Sequence, residues 1–155
     1  MPELRIINEF AVIGIGIRTS NAAEMTDSNA RIPGLWNDYF SASVPAKIPN
    51  KEADQSTFAV YTDYESDHTG LYSLVLGRKV SSLDEIPDGM VGLKIPSGRY
   101  LAFSADGPVP DAIVAAWREI WTYFQQNPQH ARAYSSDFEV YGTAKDTAEI
   151  LIGIT

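Results

Sequence analysis

The chain has 155 residues, of which 45% are hydrophobic and 21% charged, a composition that fits a soluble globular protein long enough to bury a core. A net charge of −8 and a pI near 4.6 exclude the clustered basic surface that phosphate-backbone binding requires, so nucleic acid is not an expected partner. The absence of cysteine excludes disulfides and thiol catalysis. The one early apolar run, residues 10–17, is too short to span a bilayer and follows no basic segment, so a cytoplasmic protein is expected.

In chain order, residues 4–19 carry Ile6, Ile7, Phe10, Val12, Ile13, Ile15 and Ile17, which predicts one long strand or two strand pieces. Gly14 and Gly16 lie inside it. With no third glycine and no helix directly behind them, they read as a bulge or a close backbone approach rather than a dinucleotide loop. Residues 21–27 are polar and predict a loop with several N-cap candidates. A helix then runs to about Ser41, with Ile32, Leu35, Trp36, Tyr39 and Phe40 on one face and Pro33-Gly34 marking a kink or its true start. Residues 43–56, with Pro45 and Pro49, predict a surface loop. Residues 57–64 and 71–80 predict the two strands of a hairpin turning through 65–70.

Residues 81–89 read as a linker. Residues 90–105 predict two strands around a turn at Pro96-Ser97-Gly98. Residues 108–126 give the strongest helical pattern, with Ile113, Trp117, Ile120, Trp121 and Phe124 at helical spacing, and Asn127-Pro128 ends it. A loop to Asp137 leads into a strand at 138–141, and residues 149–154 close the chain as an apolar strand.

Two of these strands carry nearly the same word, Phe58-Ala59-Val60-Tyr61 and Phe138-Glu139-Val140-Tyr141. Each follows a helix with an aromatic pair at i and i+4, Trp36/Phe40 and Trp117/Trp121, so each pair shares a helical face. Each half therefore reads strand, helix, strand, strand. With a period of two, Glu139 and Tyr141 share one strand face, and Ala59 and Tyr61 the equivalent face of the twin. A pseudo-twofold axis would bring those faces together, with one carboxylate breaking the symmetry.

Familiar catalytic machinery is missing: there is no nucleophile elbow, phosphate loop or zinc spacing. His68 and His130 read as solvated loop residues, and Asp63, Glu65 and Asp67 as an acidic turn, so no metal ligand set and no cofactor are expected. Glu139 reads either as a solvated strand residue or as an acid among aromatic rings. In the second case the rings would hold an apolar body and the acid would fix a positive charge.

The two half-repeats, with Phe58-Ala59-Val60-Tyr61-Thr62-Asp63, Ile95-Pro96-Ser97-Gly98-Arg99-Tyr100, the Trp117/Trp121 helix and Phe138-Glu139-Val140-Tyr141, resemble the GyrI-like effector-binding domain found alone or fused to AraC- and MerR-class regulators. Among stand-alone members the chain looks most like the effector-binding proteins of integron gene cassettes. The resemblance implies an α+β fold of the SHS2 type: a duplicated βαββ unit with pseudo-twofold symmetry and two helices packed on an antiparallel sheet. It implies a single domain, 1–155, with half-repeats at about 1–80 and 90–155 and a linker at 81–89. It also implies binding of lipophilic, often cationic, small molecules by Glu139 and the aromatic residues Trp36, Tyr61, Trp117, Trp121 and Tyr141, without separating Trp117 from Trp121. A strand near Met1 leaves no place for a helix-turn-helix, so no direct DNA reading is expected. Two alternatives come with the same resemblance. One is hydrolysis of electrophilic cyclopropane-type toxins with Glu139 as general base, ranked lower for want of a second catalytic group. The other is a gyrase-inhibitor-like contact with a protein partner.

Overall fold

The computed structural model describes residues 2–26, 28–143 and 147–155. In chain order the elements are β1 (Glu3–Ile7), β2 (Phe10–Ser20), α1 (Asn21–Glu24), α2 (Ile32–Ser41), α3 (Val44–Lys47), β3 (Thr57–Thr62), β4 (Leu71–Val80), β5 (Val91–Ile95), β6 (Gly98–Asp106), α4 (Asp111–Gln126), β7 (Arg132–Tyr141) and β8 (Thr147–Ile154). The strands form one open antiparallel sheet in the order β1-β6-β8-β7-β3-β4-β2-β5. Read outward from the central β3–β7 pair, the two sides have the same plan: β3-β4-β2 on one side, β7-β8-β6 on the other. This is the α+β duplicated βαββ arrangement that the sequence implies.

The leading strand of each side is exchanged. β1 precedes β2 but pairs with β6, and β5 precedes β6 but pairs with β2. Only Asn8 and Glu9 join β1 to β2, which stand six places apart in the sheet order. Three Cα steps reach about 11 Å, whereas six strand spacings in a flat sheet cover about 29 Å. The sheet therefore curls until its two ends approach. Curling explains how Val12, Phe58, Val60, Ile95, Tyr100, Phe138 and Leu151, drawn from strands across the whole sheet, bury one another on the concave face without any helix.

The outer face carries the two long helices. On α2, Leu35 and Tyr39 are buried against β2 and β4; on α4, Ala116 and Ile120 are buried against β6 and β8. In both helices the next row round (Ile32, Trp36 and Phe40; Ile113, Trp117 and Trp121) faces the gap between the helices, over the central strands. Trp121 is thus 40% exposed rather than part of the packed face expected from its spacing. Ala116 and Tyr123 complete that face instead.

Several local expectations need correction. The polar stretch after β2 holds a turn of helix, α1, whose N-cap Ser20 accepts from Ala23 N at 3.1 Å; Asp27, at the end of that stretch, lies outside the described residues. The expected surface loop at 43–56 contains α3, because Val44 and Ile48 fill the core under α2. The expected loop before Asp137 is already strand from Arg132, with an irregular register between Arg132 and Asp137 against β8. Two open alternatives resolve as the second of each pair: residues 4–19 form two strand pieces, and Pro33 marks the start of α2. No helix among the described residues is long and apolar enough to cross a membrane.

Gly14 is a close approach, not a bulge. It pairs with Gly77 on β4, and a Cβ at Gly14 would stand 1.8 Å from the Leu76 carbonyl oxygen and 2.6 Å from Gly77 Cα. Backbone atoms cannot step aside as a side-chain tip does. Gly14→Ala should therefore cost about 2–4 kcal/mol of stability, read from urea denaturation midpoints. A loss under about 1 kcal/mol would mean that the β2–β4 pair accommodates a methyl there.

Candidate functional site

Because α2 sits over one wing of the sheet and α4 over the other, the outer face of the central β3–β7 pair is left uncovered between them. A cavity of about 1030 Å³ fills this gap. The register pairs Ala59 with Glu139, so the local twofold passes between those two residues, and Tyr61 and Tyr141 flank them on the same face. All six residues singled out in the sequence, Trp36, Tyr61, Trp117, Trp121, Glu139 and Tyr141, line this one cavity.

The aromatic walls follow the same symmetry. Trp36 on α2 meets Tyr141 on β7 edge-on at 5.0 Å between centroids, and Trp117 on α4 meets Tyr61 on β3 edge-on at 5.5 Å. Each indole reaches across the axis to the other half's tyrosine. Trp36 also stacks on Phe40, as Trp117 tilts against Trp121.

Glu139 is 2% exposed. Trp117 Nε1 donates to its Oε2 at 2.7 Å, Tyr61 OH to Oε2 at 2.9 Å and Tyr141 OH to Oε1 at 2.6 Å. All three donors are neutral, and no salt bridge reaches this carboxylate among the described residues. Burial pushes its pKa above the ordinary glutamate value, and the hydrogen bonds from Tyr141, Trp117 and Tyr61 work against that rise. The Tyr61 and Tyr141 hydroxyls are pushed upward in turn, by burial first and by the Glu139 charge second.

Two residues earlier on β7, Asp137 is equally buried and is treated differently. It accepts from Arg132 Nη2 at 2.7 Å, from Gly153 N at 2.9 Å and from the Tyr64 hydroxyl. The Arg132 guanidinium lies 4.4 Å from the centre of the Tyr134 ring and 5.9 Å from that of Trp117. One buried acid thus has its own cation, and the other has none.

Sequence reasoning missed Arg132, Tyr64, Tyr72 and Glu24, which also line the cavity. The sequence pattern puts Arg132 in a loop and Tyr64 at the end of a hairpin strand, where nothing local marks either. Glu24 accepts from the amides of Arg31 and Ile32 at 3.0–3.1 Å and from Thr19 Oγ1, and so caps α2 from outside the helix. His68 is exposed in the turn, as expected of a solvated loop residue, and stands at the cavity edge.

The profile of the integron-associated effector binding protein family matches residues 3–154. The chain belongs to this family. The integron cassette protein VCH_CASS2, from the mobile metagenome of Vibrio cholerae, is 35% identical, with a TM-score of 0.84 over 99% of this chain and 95% of that one. YobU of Bacillus subtilis (strain 168), described as a candidate transcriptional regulator protein, is 33% identical over 129 residues, 83% of this chain and 78% of YobU. The structure of SAV2435 bound to tetraphenylphosphonium shares the fold, with a TM-score of 0.81 at 20% identity over 100% of this chain and 94% of that one.

In this effector-binding protein the two tryptophans of α4 part company. Trp117 holds the carboxylate, while Trp121 stands at the cavity mouth with Phe40, which is 63% exposed. A second cavity of about 920 Å³ opens on the opposite face of the sheet, rimmed by charges of both signs, including the Arg5–Glu149 pair at 2.6 Å. Among the described residues, a buried acid without a cation lines only the first.

The raised pKa has a sign for stability. Between the unfolded and folded pKa values the native state holds a proton that the unfolded chain has lost, so stability falls as pH rises through that window. Glu139→Gln removes the penalty and keeps the hydrogen bonds: the Gln oxygen can accept from Trp117 and Tyr61 while its amide donates to the Tyr141 oxygen. The empty variant should be more stable than wild type at pH 7.5 by about 1 kcal/mol or more, roughly 2–4 °C in Tm. The gap should close toward pH 4. A variant less stable than wild type at pH 7.5 would mean that the three hydrogen bonds outweigh the burial.

Proposed function

We propose that this effector-binding protein takes up lipophilic cations between α2 and α4, with Glu139 supplying the charge that selects them and Trp36, Tyr61, Trp117, Trp121 and Tyr141 holding the apolar body. The observation that carries the reading is Glu139 itself: a buried carboxylate on the wall of an aromatic cavity, held only by neutral donors. A cation about 5 Å away in surroundings of effective dielectric near 20 would gain roughly 3 kcal/mol from that charge alone. Each ring face it meets adds about 0.5–2 kcal/mol. The tetraphenylphosphonium bound by SAV2435 has this chemistry, a fixed positive charge inside an aromatic shell.

A hydrolytic role for the same residue is less favoured by its geometry. Oε1 keeps a free lone pair beside its bond from Tyr141, but hydrolysis also needs a water held on that atom, and no further polar side chain bonds to Glu139 to orient one among the described residues. Cation binding needs no such water.

The test uses shape-matched ligands of different charge. Tetraphenylphosphonium should quench the cavity tryptophans and bind, tetraphenylborate should not, and neutral triphenylphosphine oxide should bind weakly. Glu139→Gln should weaken tetraphenylphosphonium by about 2–5 kcal/mol, some thirty- to several-thousand-fold, and leave the neutral ligand nearly unchanged. Equal affinity of wild type and variant for the phosphonium would remove Glu139 from the site.

A further inference from the structure

The cavity's charge inventory bears on what happens before a ligand arrives. Around Glu139, β3 presents Tyr61, β4 presents Tyr72, β7 presents Tyr141 and the Arg132–Asp137 pair, α4 presents Trp117 and, farther out, Arg118, and α1 presents Glu24; the turn before β4 adds Tyr64 and His68, and the cavity-lining residues of α2 are all uncharged. Arg132 is committed to Asp137, and Glu24 to the amides at the start of α2. No basic group in this set is paired with Glu139. The hydroxyls of Tyr61, Tyr72 and Tyr141 are each pushed upward, by burial first, so they remain neutral donors.

We propose that the empty cavity keeps a proton on Glu139 as its counter-charge, and that a permanently charged lipophilic cation binds by displacing that proton to solvent. The inference rests on the cation-binding reading and adds its stoichiometry. The hydrogen bonds say where the proton sits. Oε2 accepts from both Trp117 and Tyr61, and an indole N–H can only donate, so that oxygen stays an acceptor. Oε1 accepts from Tyr141 alone, and a hydroxyl can turn from donor to acceptor. The proton belongs on Oε1, donated to the Tyr141 oxygen. When the cation enters, the Oε1–H bond breaks, the electron pair stays on the carboxylate, the proton leaves to water, and Tyr141 turns back to donate. One positive charge enters and one leaves. The upward pull of burial on the Glu139 pKa is in the direction this exchange needs. A lipophilic amine that arrives uncharged would take the same proton itself and release none.

The experiment is calorimetric titration of tetraphenylphosphonium into wild-type protein between pH 5 and pH 8, in two buffers of different ionisation heat at each pH. The dependence of the observed heat on buffer gives the protons released per cation bound. The expected result is a release that approaches one at the acid end and falls toward zero as pH rises, with affinity weakening by up to tenfold per pH unit on the acid side. Glu139→Gln should release none. Should the variant bind too weakly for calorimetry, infrared spectra of wild type replace it: the stretch of a protonated carboxyl should be present in the empty protein at pH 5 and vanish on adding the cation. Binding without proton release at every pH, or without loss of that stretch, overturns the exchange and leaves cation binding standing. Failure of wild type to bind the phosphonium at any pH overturns both.

Discussion

The pairing of Ala59 with Glu139 across the β3–β7 ladder is the constraint on which the site depends. Side chains on a strand alternate with period two, so fixing this one pair fixes the whole outer face of the central strands. Tyr61 and Tyr141 fall on either side of it, and Phe58, Val60, Phe138 and Val140 fall on the concave face, all but Val140 in its buried core. A slip of β7 by one residue would turn Tyr141 and the carboxylate into the concave core and bring Phe138 out between the helices. The apolar packing that holds the sheet together is therefore also what aims the acid.

The helices are constrained in the same way. Each has two adjacent rows of side chains with separate duties, small or aliphatic residues and a tyrosine toward the sheet, indoles and phenylalanine toward the gap. Had the helices packed over the middle of the sheet, the outer face of β3 and β7 would have been covered and no cavity would exist. Their position over the wings follows from where Leu35 and Tyr39, or Ala116 and Ile120, find apolar strand surface.

Much of this was legible in the sequence because it is local. The twin Phe-x-Val-Tyr words, the four-residue aromatic spacing and the strand-face alternation of Glu139 with Tyr141 are short-range patterns, and the structure gathers those six residues in one cavity. What was not legible depends on contacts between distant parts of the chain. The exchange of β1 and β5 is invisible because a two-residue turn normally joins neighbouring strands. Asp137 finds Tyr64, which is 73 residues away, and nothing around Tyr64 announces that partner. The short helices α1 and α3 escaped because four residues carry too little periodicity to read. Trp117 and Trp121 were inseparable on spacing alone, since a 100° step per residue places both on the edge of the same stripe.

The strand order has a consequence for how such a site can be encoded. Two copies of a half-length chain could build the same curled sheet as a homodimer, each lending its first strand to the other's edge. Twofold symmetry would then place identical residues at the two positions occupied here by Ala59 and Glu139. Such a dimer could have two alanines, and no charge, or two glutamates facing each other with Cβ atoms about 4.5–5.5 Å apart. The second pair would repel and share a proton between them. A single carboxylate on the axis is something a symmetric dimer cannot specify. Joining the halves in one polypeptide lets the two positions differ, and the lone acid becomes possible.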